Sequence, residues 1–91
     1  MLAATLLACG RPPLDATGEE IFEQVCANCH GSDLSGGVGP ALGVGSNAAS
    51  EDDDFLRLTI ERGRGRMPSF GNTLTEEQIE AVISYIRERQ Q

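Results

Sequence analysis

Residues 26–30 read Cys26-Ala27-Asn28-Cys29-His30: two cysteines one helical turn apart, with a histidine directly after the second. Two thiols so placed can both add to the vinyl groups along one edge of a porphyrin, and the adjacent histidine then reaches the iron from that same side. A thioredoxin-like redox pair also uses a C-x-x-C spacing, but it needs a βαβ setting, and no strand pattern lies nearby. Zinc needs four ligands, whereas the chain offers Cys26, Cys29, His30 and a distant Cys9. Neighbouring Cys29 and His30 do not readily close on one tetrahedral ion.

The rest of the composition asks for a cofactor. A chain of 91 residues with no Trp, one Tyr, three Phe and 11 Gly has few large side chains with which to build a core, and domains this small usually rely on a staple or a bound group. Three cysteines make an odd disulfide set, and two of them are too close to cross-link distant segments. The net charge of -7 argues against nucleic acid and directs the expectation to redox protein partners with a basic docking surface. All seven cationic residues are arginines, and Arg57, Arg62, Arg64 and Arg66 crowd into one stretch. That stretch reads either as an anion site or as solvated arginines at a helix end.

Periodicity places three helices and no strand, an all-α class. Gly18, Ile21, Phe22, Val25 and Cys29 share a helical face over about 16–29, with Glu19 and Glu20 at its dipole-favoured start. Residues 31–49 hold six glycines and Pro40 without periodicity and read as a loop wrapped over something. Ser50 with Asp53 forms an acidic capping box for a helix over about 51–62, on which Phe55, Leu58 and Thr59 recur until Gly63 and Gly65 end it. Thr75 with Gln78 caps a third helix over about 75–89, with Ile79, Val82, Ile83 and Ile86 as its stripe.

A second iron ligand has few sources. His30 is the only histidine, there is no lysine, and Met1 would leave with a leader, so Met67 is the remaining thioether. Pro68 keeps the backbone there from continuing as helix, which suits a loop presenting a side chain inward.

With Gly18 and Phe22 before the motif, Gly39-Pro40 and Leu42 after it, Arg66-Met67-Pro68-Ser69-Phe70 later and Tyr85 in the last helix, the sequence resembles the class I cytochromes c, in particular the short bacterial c551/c552 type, over about residues 15–89. The resemblance implies a cytochrome c fold around one haem c attached through Cys26 and Cys29, with iron held by His30 and Met67. It further implies that the Pro40 carbonyl accepts the second ring N–H of His30, that Leu42 touches the porphyrin, and that Gly18 lets the first helix press on the last near Phe22, Val82 and Tyr85. One or more of Arg62, Arg64 and Arg66 is expected to pair with a haem propionate.

Residues 1–9 read MLAATLLAC, too short to span a bilayer. Leu6-Leu7-Ala8-Cys9 resembles a bacterial lipobox, which divides the chain into a signal remnant (1–8), a lipid-attached tether (9–16) with Cys9 as the acylated residue and membrane anchor, and a cytochrome domain (17–91). The alternatives are an apolar leader cleaved by an ordinary signal peptidase and a disordered end with a chance cysteine. The expected function is a monomeric, extracytoplasmic single-electron carrier between a quinol-oxidising complex and a terminal oxidase or reductase. It is read as an electron-transfer protein and not an enzyme, because no base, nucleophile or vacant metal position is evident. The alternatives are an electron-transfer subunit of a specific dehydrogenase, and a haem-based sensor or peroxidase with a labile Met67.

Overall fold

The computed structural model describes residues 10–91, so Cys9 and the expected signal remnant lie outside the described residues. An unbroken helical rod comprises α1 (Gly18–Ile21), a π-helical turn (Phe22–Cys26) and α2 (Ala27–His30). A 3-10 turn (Asn47–Ser50) precedes α3 (Asp53–Arg62), and α4 (Glu76–Arg89) closes the chain. No named strand occurs among the described residues; the one β-bridge joins Arg64 and Met67.

α1, α3 and α4 each start where a side chain satisfies orphan N–H groups. Thr17 and Glu20 form a reciprocal capping box at α1, as do Thr75 and Gln78 at α4. The start of α3 differs from the sequence expectation. Asp52 is its cap, its carboxylate accepting from the Phe55 N–H at 2.8 Å, while the Ser50 hydroxyl donates to the Asn47 carbonyl and closes the preceding 3-10 turn. The buried face of α3 is also rotated. Leu56 and Ile60 are buried and Leu58 is 43% exposed, because α4 packs on the side that carries Leu56 and Ile60.

α1 crosses α4 at Gly18, where a Cβ would stand 2.2 Å from the Ala81 carbonyl oxygen; any side chain there would push the helices apart. At this crossing the Phe22 and Tyr85 rings lie 5.5 Å apart at 50°. Ile21, Phe22, Ile79, Val82 and Ile83 complete the buried seam.

Two features hold the loops down. Leu34 adopts the left-handed conformation (φ 64) while its side chain is 1% exposed, and its carbonyl accepts from Leu42 and Gly43, folding the glycine-rich loop over one end of the rod. Burial of that side chain offsets a backbone strain of about 1 kcal/mol. The segment before α1, read as a tether, packs on the domain in its described part: Pro12 is buried, and the side-chain amide of Gln78 donates to the carbonyls of Pro12 and Pro13 at 3.4 and 3.0 Å.

Candidate cofactor site

The π-helical turn leads directly into the cysteines. The Ala27 N–H reaches back to the Phe22 carbonyl, five residues away, and such turns favour functional sites because they re-aim the residues that follow. Cys26 is buried and Cys29 half-buried. Burial pushes the Cys26 thiol up to about 12, with the neighbouring Cys29 adding to the effect, so Cys26 enters the site as an uncharged wall group.

Beside them opens a cleft of about 1050 Å³, at the upper limit of the size typical of cofactor clefts, about 300–1,000 Å³. Cys26, Cys29, His30, Pro40, Leu42 and Met67 all line it, although they come from the helical rod, the glycine-rich loop and the loop after α3. Cys9 lies outside the described residues.

The His30 ring is set with little freedom. Its Nδ1 lies 2.8 Å from the Pro40 carbonyl oxygen. A carbonyl can only accept, so Nδ1 carries the proton and Nε2 keeps its lone pair for a metal. A Cβ on Gly39 would stand 2.9 Å from His30 Cε1, so the glycine lets the loop backbone lie against the imidazole. The Gly39 N–H in turn donates to the Cys29 carbonyl at 2.7 Å and the Gly36 N–H to the His30 carbonyl at 2.8 Å.

The Met67 wall is a tight hairpin. Gly63 ends α3 with φ 76 and ψ 173, and Gly65, with φ 58, occupies the first central position of a two-residue turn between Arg64 and Met67. A glycine of positive φ at that position, followed by Arg66 outside the positive-φ region, fits a type II′ turn. A Cβ on Gly63 would stand 2.5 Å from the Met67 carbonyl oxygen.

Several cleft residues carry no mark in the sequence as parts of the site. Phe55, expected only as part of a helix face, lines the cleft, and the Arg64 guanidinium carbon sits 5.1 Å from its ring centroid. Ile60, Val82 and Ile86 add an apolar floor. Of the three arginines, Arg64 and Arg66 line the cleft and Arg62 does not. The Gly-x-Gly spacing around Arg64 is the sequence signal for the hairpin.

The donor set fits a covalently held haem. Two thiols and a histidine with a free Nε2 stand in one cleft, facing an apolar floor and a thioether from another loop. Among the described residues, no three of His, Cys, Asp and Glu gather into a nest that could hold a metal ion unaided.

Comparison with known proteins identifies the family. Residues 13–86 match the family model described as cytochrome c oxidase, cbb3-type, subunit III. The chain is 40% identical over 68 residues to cytochrome c-551 of Bacillus subtilis, which covers 74% of this chain and 55% of that protein. It is 32% identical over 85 residues to a nicotinate dehydrogenase subunit of Pseudomonas putida, covering 81% of this chain but 7% of that protein. Among solved structures, cytochrome cL from Hyphomicrobium denitrificans superposes with a TM-score of 0.73 at 34% identity, over 81% of this chain and 46% of that one. The chain therefore spans about half or less of the length of these relatives.

Proposed function

Since the chain belongs to the class I c-type cytochromes, we propose that it is a single-electron carrier of an extracytoplasmic respiratory chain, with iron held between His30 and Met67. Haem c is attached through Cys26 and Cys29. When bound, its iron alternates between Fe(III) and Fe(II) and so takes up and releases one electron. The observation that carries the reading is that His30 and Met67, 37 positions apart in the sequence, line one cleft.

Each wall has a task in that reading. The Pro40 carbonyl holds the His30 ring in the Nδ1–H form and makes its other nitrogen a better donor. The Met67 thioether is a soft donor that favours Fe(II) and raises the potential relative to two histidines. Leu42, Phe55 and Ile60 would keep water from the cofactor, and with His30 and Met67 both holding the iron these side chains would have little need to move when its charge changes. Electron donors and acceptors of this carrier are redox proteins such as a quinol-oxidising complex and a terminal oxidase or reductase. No helix of the described residues is long and apolar enough to cross a membrane; acylation of Cys9 would supply the attachment, and acyl mass on that residue in the membrane-extracted protein is its test.

A reduced-minus-oxidised spectrum, combined with a haem stain under denaturing conditions, tests attachment and ligation together. The expected result is covalent haem, a far-red Met-to-Fe(III) band in the oxidised protein and no carbon monoxide binding at neutral pH. A colourless folded protein overturns the proposal. Carbon monoxide binding to the reduced protein replaces the carrier with a sensor or peroxidase in which Met67 is labile.

A second reading is favoured by the relative in Pseudomonas putida, which is named as a nicotinate dehydrogenase subunit. In it the chain serves one dehydrogenase as an electron-transfer subunit. Stable co-purification with such an enzyme separates this reading from a carrier that exchanges partners.

A further inference from the structure

The wall of the cleft that carries Leu42 is not held by burial. Residues 35–50 include no buried residue, and Val38 and Val44 stand 80% and 72% exposed. Polar contacts must therefore fix this wall, and those from the end of α4 are specific. The side-chain amide of Gln90 donates to the Leu42 carbonyl at 2.8 Å and accepts from the Arg87 guanidinium at 2.8 Å. Each end of the amide meets its opposite, so turning it over would set oxygen against oxygen and N–H against N–H. Arg87 in turn donates to the carbonyls of Ala48 and Glu51. Leu42, Ala48 and Glu51 all line the cleft, while Gln90 and Arg87 stand behind it.

We propose that Gln90 is a positioning residue of the cofactor site: with Arg87 it clasps the glycine-rich loop and the 3-10 turn into one wall and keeps water from entering there. The wall includes Pro40, two positions before Leu42, whose carbonyl holds the His30 ring. The consequence is electrostatic. Fe(III) carries one positive charge more than Fe(II), and water stabilises the more charged form, so a wall held shut raises the potential. This inference rests on the carrier reading, for which the potential is the working property. It goes further by giving a residue outside the cleft a part in setting that potential.

The haem-loaded protein carries the test. Gln90→Met keeps the length and the neutrality of the side chain but removes its donor and its acceptor. Hydrogen exchange at the Leu42 and Gly43 amides should rise about five-fold, the share of one lost hydrogen bond, and the potential should shift downward. Arg87→Lys keeps the charge but not the planar fork, and should move both readouts the same way. Gln91→Met, at the neighbouring position, should move neither. The far-red band responds to Met67 and not to Gln90. It should be unchanged in every variant, and its absence from the parent would end the Met67 reading while exchange and potential still decide the clasp. Parent-like exchange in Gln90→Met means that the amide does not hold the wall, and the proposal is wrong. Faster exchange at an unchanged potential means a purely structural contact, and the proposal is wrong again.

Discussion

Arg64 and Met67 face each other across a two-residue turn and exchange both backbone hydrogen bonds, the Arg64 N–H to the Met67 carbonyl at 3.1 Å and the Met67 N–H to the Arg64 carbonyl at 2.9 Å. Directly opposed residues of a hairpin project to the same side, so one backbone device aims the charged fork and the thioether at one cleft. Two glycines make the device possible, for different reasons. Gly65→Ala meets open space and suffers only its positive φ, a loss of about 1 kcal/mol. Gly63→Ala must enter a conformation that is essentially glycine-only and also strike the Met67 carbonyl, costing about 3 kcal/mol or more. The far-red band should therefore persist in Gly65→Ala and be lost in Gly63→Ala, with carbon monoxide binding gained. Equal spectra would show that the hairpin does not set Met67.

The helix crossing gives a second expectation. A methyl at position 18 has no room before the Ala81 carbonyl. Gly18→Ala should destabilise the holoprotein by about 2–3 kcal/mol, read as a lowered denaturant midpoint with an unchanged slope. A midpoint within error of the parent would mean that the crossing gives way easily.

Arg87 is a hub. Its guanidinium donates to the Asp53 carboxylate at 2.9 Å, to the Ala48 carbonyl at 3.3 Å, to the Glu51 carbonyl and to the Gln90 side chain at 2.8 Å. It thereby ties the 3-10 turn and the start of α3 to the last helix. Arg87→Ala should cost about 1–2 kcal/mol and raise amide exchange in residues 47–55 well before the rest of the molecule opens. Uniform exchange would argue that the turn is held otherwise.

The acid limb of stability has an identifiable contributor. Hydrogen bonds from the Arg57 guanidinium hold the Glu80 carboxyl below its ordinary range. A carboxyl depressed in the folded state stabilises above its unfolded value, here 4.5, and that contribution is lost as pH falls through the lower folded value. The stability difference between the parent and Glu80→Gln should therefore be constant near neutral pH and shrink below pH 4.5. Because the pair is exposed, the difference should be small throughout. A gap that widened in acid would contradict the pairing.

Much of the site was legible because its chemistry is local in sequence. Cys26, Cys29 and His30 are adjacent, and Gly18 and Pro40 were placed by resemblance in roles that the geometry at Ala81 and at the His30 ring matches. What was not legible depends on partners far along the chain. Leu58 has the spacing of a core residue and is left exposed because α4 packs on the side of α3 that carries Leu56 and Ile60. Ser50 has the chemistry of a cap, but Asp52 takes the position and Ser50 closes the preceding turn. Phe55 is a cleft wall with Arg64 over its ring, a juxtaposition with the hairpin that helix spacing does not show. Leu34, alone in a glycine-rich stretch, is the loop's buried anchor, and neither period nor motif marks it.

The grip of Gln78 on Pro12 and Pro13 changes what can be attached upstream. A segment clasped by the last helix does not behave as a leash, so Pro12 and Pro13 turn when the domain turns. An anchor upstream would therefore pivot from Pro12 and not from the start of the first helix. Severing the Gln78 contacts would move that pivot to the start of the first helix without touching the redox chemistry.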